Sequence, residues 1–410
     1  MSKIQAVYIK GLWGKDDIKM SFSEDYNFLI GDNGTGKTTV VNIICGVIKG
    51  NVNLLKRIQF NSVTLLFNDM KIEYHNFYDK SDFDISDDYC LFHITDGEID
   101  TSFKVDKDHP FFRTSKIESY RNLVNKKIDM CWLSINRKDI TDDEDDWYNN
   151  SDKTPIDEKL DDVFLDIFKN FAGQNQVFSK ITSGFQKDVF NKLVDIPSEE
   201  SIFKFKDNIN FDNERDTLKE VFELLDVHKS QYEEKLDIYF KLLKKACSHE
   251  SINDLTTYSI IYNAWRTHSI ISNYEDLRNK KNRIFEQTNT FIKVLNELFS
   301  GRKIFSLSKK NELLIKTKDN RIITKDDLSS GEKQMIILLG EAFCKNNKNI
   351  IYIADEPEIS LHVKWQERLV YALSSLNKNI QIIFATHSPD IVGGRNDKII
   401  KLGNKNVFKF

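Results

Sequence analysis

Gly31-Asp32-Asn33-Gly34-Thr35-Gly36-Lys37-Thr38 decides how the rest of this 410-residue chain is read. The stretch fits G-x-x-x-x-G-K-[ST], a loop whose backbone N–H groups close around phosphate oxygens. Closing that tightly needs glycine, which reaches positive φ without steric cost. Lys37 would reach the β- and γ-phosphates as a point charge, and the Thr38 hydroxyl would ligate Mg²⁺. The flanks agree. Tyr26-Asn27-Phe28-Leu29-Ile30 reads as a short buried strand, and Thr39 through Ile44 as the opening of a helix whose N-terminus faces the anion. The candidate phosphate-binding residues are Asn33, Gly34, Thr35, Gly36, Lys37, Thr38 and Thr39.

Composition sets the outer bounds. The length allows two or three domains and a large core. A formal net charge of −4 with 30% charged residues is ordinary for a soluble protein, so any contact with nucleic acid must come from a local patch. Cys45, Cys90, Cys131, Cys247 and Cys344 are scattered, odd in number and never spaced C-x-x-C. That pattern implies free thiols in a reducing compartment and no Cys-based zinc site. No apolar signal region opens the chain, and no apolar run approaches the ~20 residues that span a bilayer. A cytoplasmic protein with no membrane partner is expected.

Three parts follow from the patterning. Residues 1–140 hold the phosphate loop among short strands: period-two alternation at Ile4, Ala6, Tyr8 and at Ile18, Met20, Phe22, then Val63–Phe67 and Cys131–Ile135, separated by polar, Asp-rich turns. Residues 141–300 begin with the acidic run Thr141–Asp146, which reads as a solvated linker rather than a metal site because adjacent acids diverge and repel. Apolar residues then recur at helical spacing, as in Leu160, Val163, Phe164, Ile167, Phe168 and Phe171, and again through Leu218–Leu225, Leu236–Leu243 and Phe285–Phe299. This is a helical insertion whose heptads are not sustained, so no long coiled coil is expected. Its densest basic run, Arg278–Arg283, reads as a solvated helix face, with phosphate contact to DNA as the alternative. Residues 301–410 return to strands, at Lys303–Leu307, Leu313–Thr317 and Arg321–Ile323, with Asp319-Asn320 as a turn.

That last part carries three further motifs. Leu328-Ser329-Ser330-Gly331-Glu332-Lys333-Gln334 opens a helix, where a Ser and a Gly make either a simple cap or an anion site. Ile350-Ile351-Tyr352-Ile353-Ala354 is a buried strand that delivers Asp355 and Glu356 to its C-terminal edge, where ligands of open α/β sheets sit. Asp355 suits Mg²⁺, and Glu356 is placed to polarise an attacking water as general base. Ile382-Ile383-Phe384-Ala385-Thr386 is a second such strand. It ends in His387, read as a γ-phosphate contact rather than a structural histidine.

The ordered set Gly31–Thr38, Leu328–Gln334, Ile350–Glu356 and His387 resembles the ABC-type ATPase heads, with Walker A, signature, Walker B and switch-histidine motifs. Asp355-Glu356-Pro357-Glu358-Ile359-Ser360-Leu361-His362, with Trp365-Gln366 and Thr386-His387-Ser388-Pro389, resembles the SMC/OLD-like branch. The tract from Phe291 to Leu328 is similar to the same branch, which includes the ATPase subunits of Septu, retron and PARIS anti-phage modules.

The resemblance implies an α/β fold: an ABC-type P-loop ATPase head, with a mixed β-sheet lobe plus a parallel core sheet, interrupted by the helical insertion. It implies hydrolysis of ATP to ADP and phosphate with Mg²⁺, using Lys37, Glu356 and His387 as catalytic residues and Thr38 and Asp355 at the metal. It also implies head-to-tail pairing of two copies, each ATP completed in trans by Ser329, Ser330, Gly331 and Glu332, with Ser360, Leu361 and His362 as the D-loop. ATP would then act as a switch for the insertion in a regulatory subunit that works with a separately encoded nuclease or toxin. A DNA-repair or remodelling ATPase is the alternative reading, and a transporter subunit a more distant one.

The chain departs from the family in places. A Q-loop glutamine is not obvious, leaving Gln59, Asn136 and Arg137 as candidates, and Val363 stands where the family often has Pro. For the adenine, Trp13 is one candidate, though a buried aromatic fits its surroundings better. No Toprim, HNH or phosphodiesterase pattern is read in the sequence.

Overall fold

The computed structural model describes residues 2–77, 89–107, 110–133, 154–192, 194, 205, 209–248, 254–299, 301–308, 310–345 and 349–403, with the side chains of residues 110–114 left aside. The acidic run Thr141–Asp146, the Q-loop candidates Asn136 and Arg137, and the Ser134-Ile135 end of one expected strand lie outside them. The chain forms two compact units, Met1–Asn170 with Gln287–Phe410, and Phe171–Glu286.

The first unit is built on three sheets. Strands β1 (Ile4–Leu12), β2 (Asp16–Ser21), β4 (Ser62–Phe67), β5 (Met70–Phe77), β6 (Tyr89–Asp96) and β7 (Asp100–Asp106) form an antiparallel sheet in the order β2-β1-β4-β5-β6-β7. Their alternation is what the sequence requires: in β4, Val63, Leu65 and Phe67 are buried while the residues between them are half-exposed. The second sheet is parallel, in the order β14-β3-β13-β12-β8, from β3 (Tyr26–Ile30), β8 (Asp129–Leu133), β12 (Ile350–Asp355), β13 (Ile380–Ala385) and β14 (Ile399–Lys401). Every residue of β12 and β13 is buried, as a strand covered on both faces demands. A small antiparallel sheet joins β9 (Lys303–Leu307), β10 (Leu313–Thr317) and β11 (Ile322–Ile323).

Two features differ from the sequence reading of the N-terminal part. Cys131 and its neighbours belong to the parallel core sheet, where β8 pairs with β12 in the register Cys131–Tyr352, rather than sharing one mixed lobe with the strands before them. The stretch read as strands and turns also contains a helix, α3 (Pro110–Lys127), after α1 (Lys37–Lys49) and α2 (Val52–Lys56). Its buried stripe of Ile117, Tyr120 and Val124 is thin, and the rest of the helix is too polar to announce a helical period.

Helix α4 (Pro155–Lys192) begins in the first unit with a buried stripe of Ile156, Leu160, Val163 and Ile167; Phe168 faces solvent. The second unit contains the rest of α4, α5 (Phe211–Leu224), α6 (Lys229–Cys247) and the first part of α7 (Leu255–Leu298). Its core is Phe185, Leu218, Val221, Leu236, Phe240, Leu243, Ile261, Ile271 and Leu277. Within it α4 and α7 lie antiparallel, with Phe178 on Phe285 and Phe185 on Tyr274. In the basic run, Arg278 pairs with Glu220 at 3.4 Å and Lys281 lies over the Phe178 ring. The remaining first-unit helices are α8 (Ser330–Cys344), α9 (Val363–Leu376) and the single turn α10 (Pro389–Val392). Among the described residues no helix is long and apolar enough to cross a membrane.

Candidate ATP site

Adjacent parallel strands β3, β13 and β12 bring the phosphate loop, His387 and the two acids to one edge of the core sheet. The loop leaves β3 and turns on itself, with Thr35 donating both its N–H (3.3 Å) and its hydroxyl (2.8 Å) to the Asp32 carbonyl. Gly36 caps α1 at φ 91°, and the Trp13 ring would lie 2.5 Å from a Cβ placed on it, so both backbone conformation and packing require glycine there. Lys37 is buried, and its ammonium donates to the carbonyls of Gly31 (2.9 Å) and Asp32 (3.2 Å). Asn33, Gly34 and Thr38 are exposed on the loop surface, while Thr35 and Thr39 are half-buried.

Asp355 ends β12 with 3% of its surface exposed. Burial pushes its carboxyl up to about 6, opposed by a hydrogen bond from the Thr38 side chain and by the Lys37 charge, and reinforced by Glu356 and Glu358. Its Oδ1 is out of solvent with no hydrogen-bond partner among the described residues. A buried carboxylate oxygen left unpaired beside a threonine hydroxyl fits a hard cation with oxygen ligands. Thr38 and Asp355 would hold Mg²⁺ there.

Glu356 follows at φ 50°, a left-handed conformation that non-glycine residues hold only where their surroundings impose it. Its N–H is fixed by the Ala385 carbonyl at 2.8 Å, and its carboxylate lies 3.5 Å from Nε2 of His387. His387 is exposed at the tip of β13. A carboxylate and an imidazole thus face each other beside the Lys37 loop.

The signature stretch makes its bonds elsewhere. Ser329 caps α8, its hydroxyl accepting from the Glu332 N–H (3.3 Å) while Glu332 accepts from the Ser329 N–H (2.8 Å) and from Lys303 (2.6 Å). Ser330 is exposed and Gly331 is buried, with the Ser360 carbonyl 2.2 Å from where a Cβ would stand. No bond among the described residues ties Ser329–Glu332 to the Lys37 loop. Ser360 is exposed at φ 68°, Leu361 is buried, and His362 caps α9 by accepting from the Lys364 N–H (3.3 Å).

Some neighbours were not legible. Glu358 binds the backbone around His387, through partners 28 to 30 residues downstream that nothing local signals. Trp13 lies 43% exposed against Gly36, contrary to the buried aromatic expected, and holds a φ of 53° in the β1–β2 connection. Gln59, exposed, accepts from the Trp13 N–H through its carbonyl. All five cysteines are free thiols, and burial pushes Cys131 and Cys344 up to about 12, where neither is a nucleophile near neutral pH.

The chain is similar to the retron Vc95 probable ATPase of Vibrio cholerae serotype O1 biovar El Tor, with 32% identity over 96 residues, covering 20% of this chain and 18% of that protein. It is also similar to the retron Ec83 probable ATPase of Escherichia coli, with 31% identity over 106 residues, covering 22% and 20%. The matched part is thus about a fifth of the length of these curated relatives. Among solved structures it is similar to the Smc head domain with an extended coiled coil bound to the C-terminal domain of ScpA, from Pyrococcus furiosus, with a TM-score of 0.47, 16% identity and coverage of 98% of this chain and 93% of that one. The AAA ATPase domain model matches residues 2–392, nearly the whole chain. The chain belongs to the AAA ATPase domain family.

Proposed function

We propose that this ATPase works as a switch: two copies pair head-to-tail around ATP, hydrolysis separates them, and the cycle regulates a separately encoded defence effector. The observation that carries the catalytic part is the convergence of Lys37, Thr38, Asp355, Glu356 and His387 on three neighbouring strand ends. Lys37, which already donates to loop carbonyls, would exchange them for β- and γ-phosphate oxygens. Bound Mg²⁺, on Thr38 and Asp355, would neutralise charge on the same phosphates. Glu356 takes the proton of the attacking water, and His387, 3.5 Å away, orients that carboxylate and the γ-phosphate. Trp13, exposed against Gly36, offers a flat face for the base.

Ser330, exposed at the start of α8 beside a Ser329 already engaged as the cap, is the group available to a partner's ATP. Ser329, Gly331 and Glu332 shape that helix start, and Ser360–His362 form the crossing loop. The retron names of the relatives support the defence assignment; the nuclease or toxin partner rests on the resemblance of the motifs alone. The test is affinity purification of the tagged chain, expressed from its own gene neighbourhood, with mass spectrometry of what accompanies it. A stoichiometric nuclease or toxin supports the reading. A membrane protein, or DNA that stimulates turnover, replaces it with transport or with DNA remodelling.

A further inference from the structure

Glu358 lies two residues beyond Glu356, in the turn that leaves β12. Its Oε1 accepts three hydrogen bonds, from the Thr386 hydroxyl (2.7 Å), the His387 N–H (2.7 Å) and the Ser388 N–H (3.1 Å). A carboxylate oxygen facing two successive backbone N–H groups and a hydroxyl is a charge-assisted clamp, stronger than neutral bonds of the same length. Its Oε2 is out of solvent and has no hydrogen-bond partner among the described residues.

The same turn is tied down from other directions. The Gln334 amide, in α8, donates to the Pro357 carbonyl at 3.0 Å. The Gln366 amide, in α9, donates to the Leu361 carbonyl at 2.9 Å, and its oxygen accepts from the Ser388 hydroxyl at 2.6 Å. Glu356 and Ser360, on either side of Glu358, both hold positive φ, so this turn is fixed by its surroundings rather than by its own preference. One rigid turn therefore carries both the Glu356 carboxylate and the anchor of the His387 backbone.

We infer that Glu358 is a positioning residue of the ATPase, which acts by holding His387 against Glu356. This rests on the roles given above to Glu356 and His387. A competing account makes the Glu358 carboxylate a second base, and the two separate cleanly. The test is steady-state ATP hydrolysis by the full chain carrying Glu358→Ala, Glu358→Gln or Glu358→Asp, each alone and combined with His387→Ala, with thermal unfolding as the control.

Glu358→Ala lowers kcat by roughly 10- to 100-fold, the scale of an ångström-sized misplacement at a reacting centre, and leaves KM within about threefold because the Lys37 loop is untouched. Glu358→Gln keeps an oxygen for the two N–H groups and stays within several-fold of the parent. Glu358→Asp withdraws the anchor by one methylene and gives an intermediate loss, which serves the same comparison if the alanine variant does not fold. In the His387→Ala background none of the three adds a further loss.

The inference is overturned if Glu358→Ala costs the same factor with or without His387, which leaves the role of His387 itself intact. It is also overturned if Glu358→Gln is as inactive as Glu358→Ala. Parent-like turnover by His387→Ala alone instead removes the role given to His387, and the inference with it.

Discussion

Replacing Asp355 with Asn should stabilise the protein in the absence of Mg²⁺ and nucleotide while abolishing its response to them. The carboxyl is held at about 6 against an ordinary 3.8, chiefly because burial disfavours its charge. Between those two values the folded protein binds a proton that the unfolded chain has released, so raising the pH through this window lowers stability. Above pH 6 the burden is complete, on the order of 3 kcal/mol; below pH 4 both states are protonated and it disappears. Asn has nearly the same shape, keeps an oxygen for Thr38 and never ionises. In EDTA at pH 8 the variant should therefore unfold about 5 °C higher than the parent. The advantage should shrink steadily as the pH falls from 6 to 4. Adding Mg²⁺ and ATP should raise the parent's midpoint by mass action and leave the variant's nearly unchanged. Thermal unfolding by differential scanning fluorimetry across pH 4–8 reads all of this. A variant no more stable than the parent at pH 8, or an advantage independent of pH, refutes the argument that Asp355 is a buried charge kept for a cation.

Three other expectations are simpler. Glu356→Gln should bind ATP but hydrolyse it about 10²- to 10⁴-fold more slowly, the range for loss of a general base, and should accumulate as a dimer in size-exclusion chromatography with ATP; turnover at the parent rate removes Glu356 from that role. Gly340→Ala drives a Cβ to 2.4 Å from Val163 Cγ1 on α4, and should cost about 1–3 kcal/mol in urea unfolding as an overpacked helix contact, a loss that Val163→Ala should largely repair. Trp13→Ala should raise KM for ATP by roughly tenfold, as removal of a stacking face does, with Trp13→Phe close to the parent; an unchanged KM places the base elsewhere.

The parts legible in sequence are those whose chemistry is local. Gly31–Thr38 carries its whole geometry in eight residues, and the apolar runs Ile350–Ala354 and Ile382–Ala385, too short for helices, read as buried strands that deliver Asp355 and His387. What escaped depends on distant partners. Helix α3 hides because its buried stripe is set by the sheet it covers, not by its own amphipathicity. The destination of β8 is decided by pairing with β12, more than two hundred residues away. His362 reads as part of the string that marks the branch, and only in place is it seen to be the acceptor that caps α9. Glu358 looks like one more acid after Walker B until the chain returns with Thr386–Ser388 to meet it.

The central claim is that each ATP is hydrolysed between two copies, with Lys37 from one and Ser330 from the other. It is tested most directly by mixing two inactive variants, Lys37→Ala and Ser330→Arg, and measuring phosphate release. In a head-to-tail pair, the mixed dimer rebuilds one intact site of two, so an equal mixture should recover about a quarter of the parent activity. Ser330→Arg hydrolysing ATP at the parent rate by itself, or a mixture as inactive as its components, would contradict the claim.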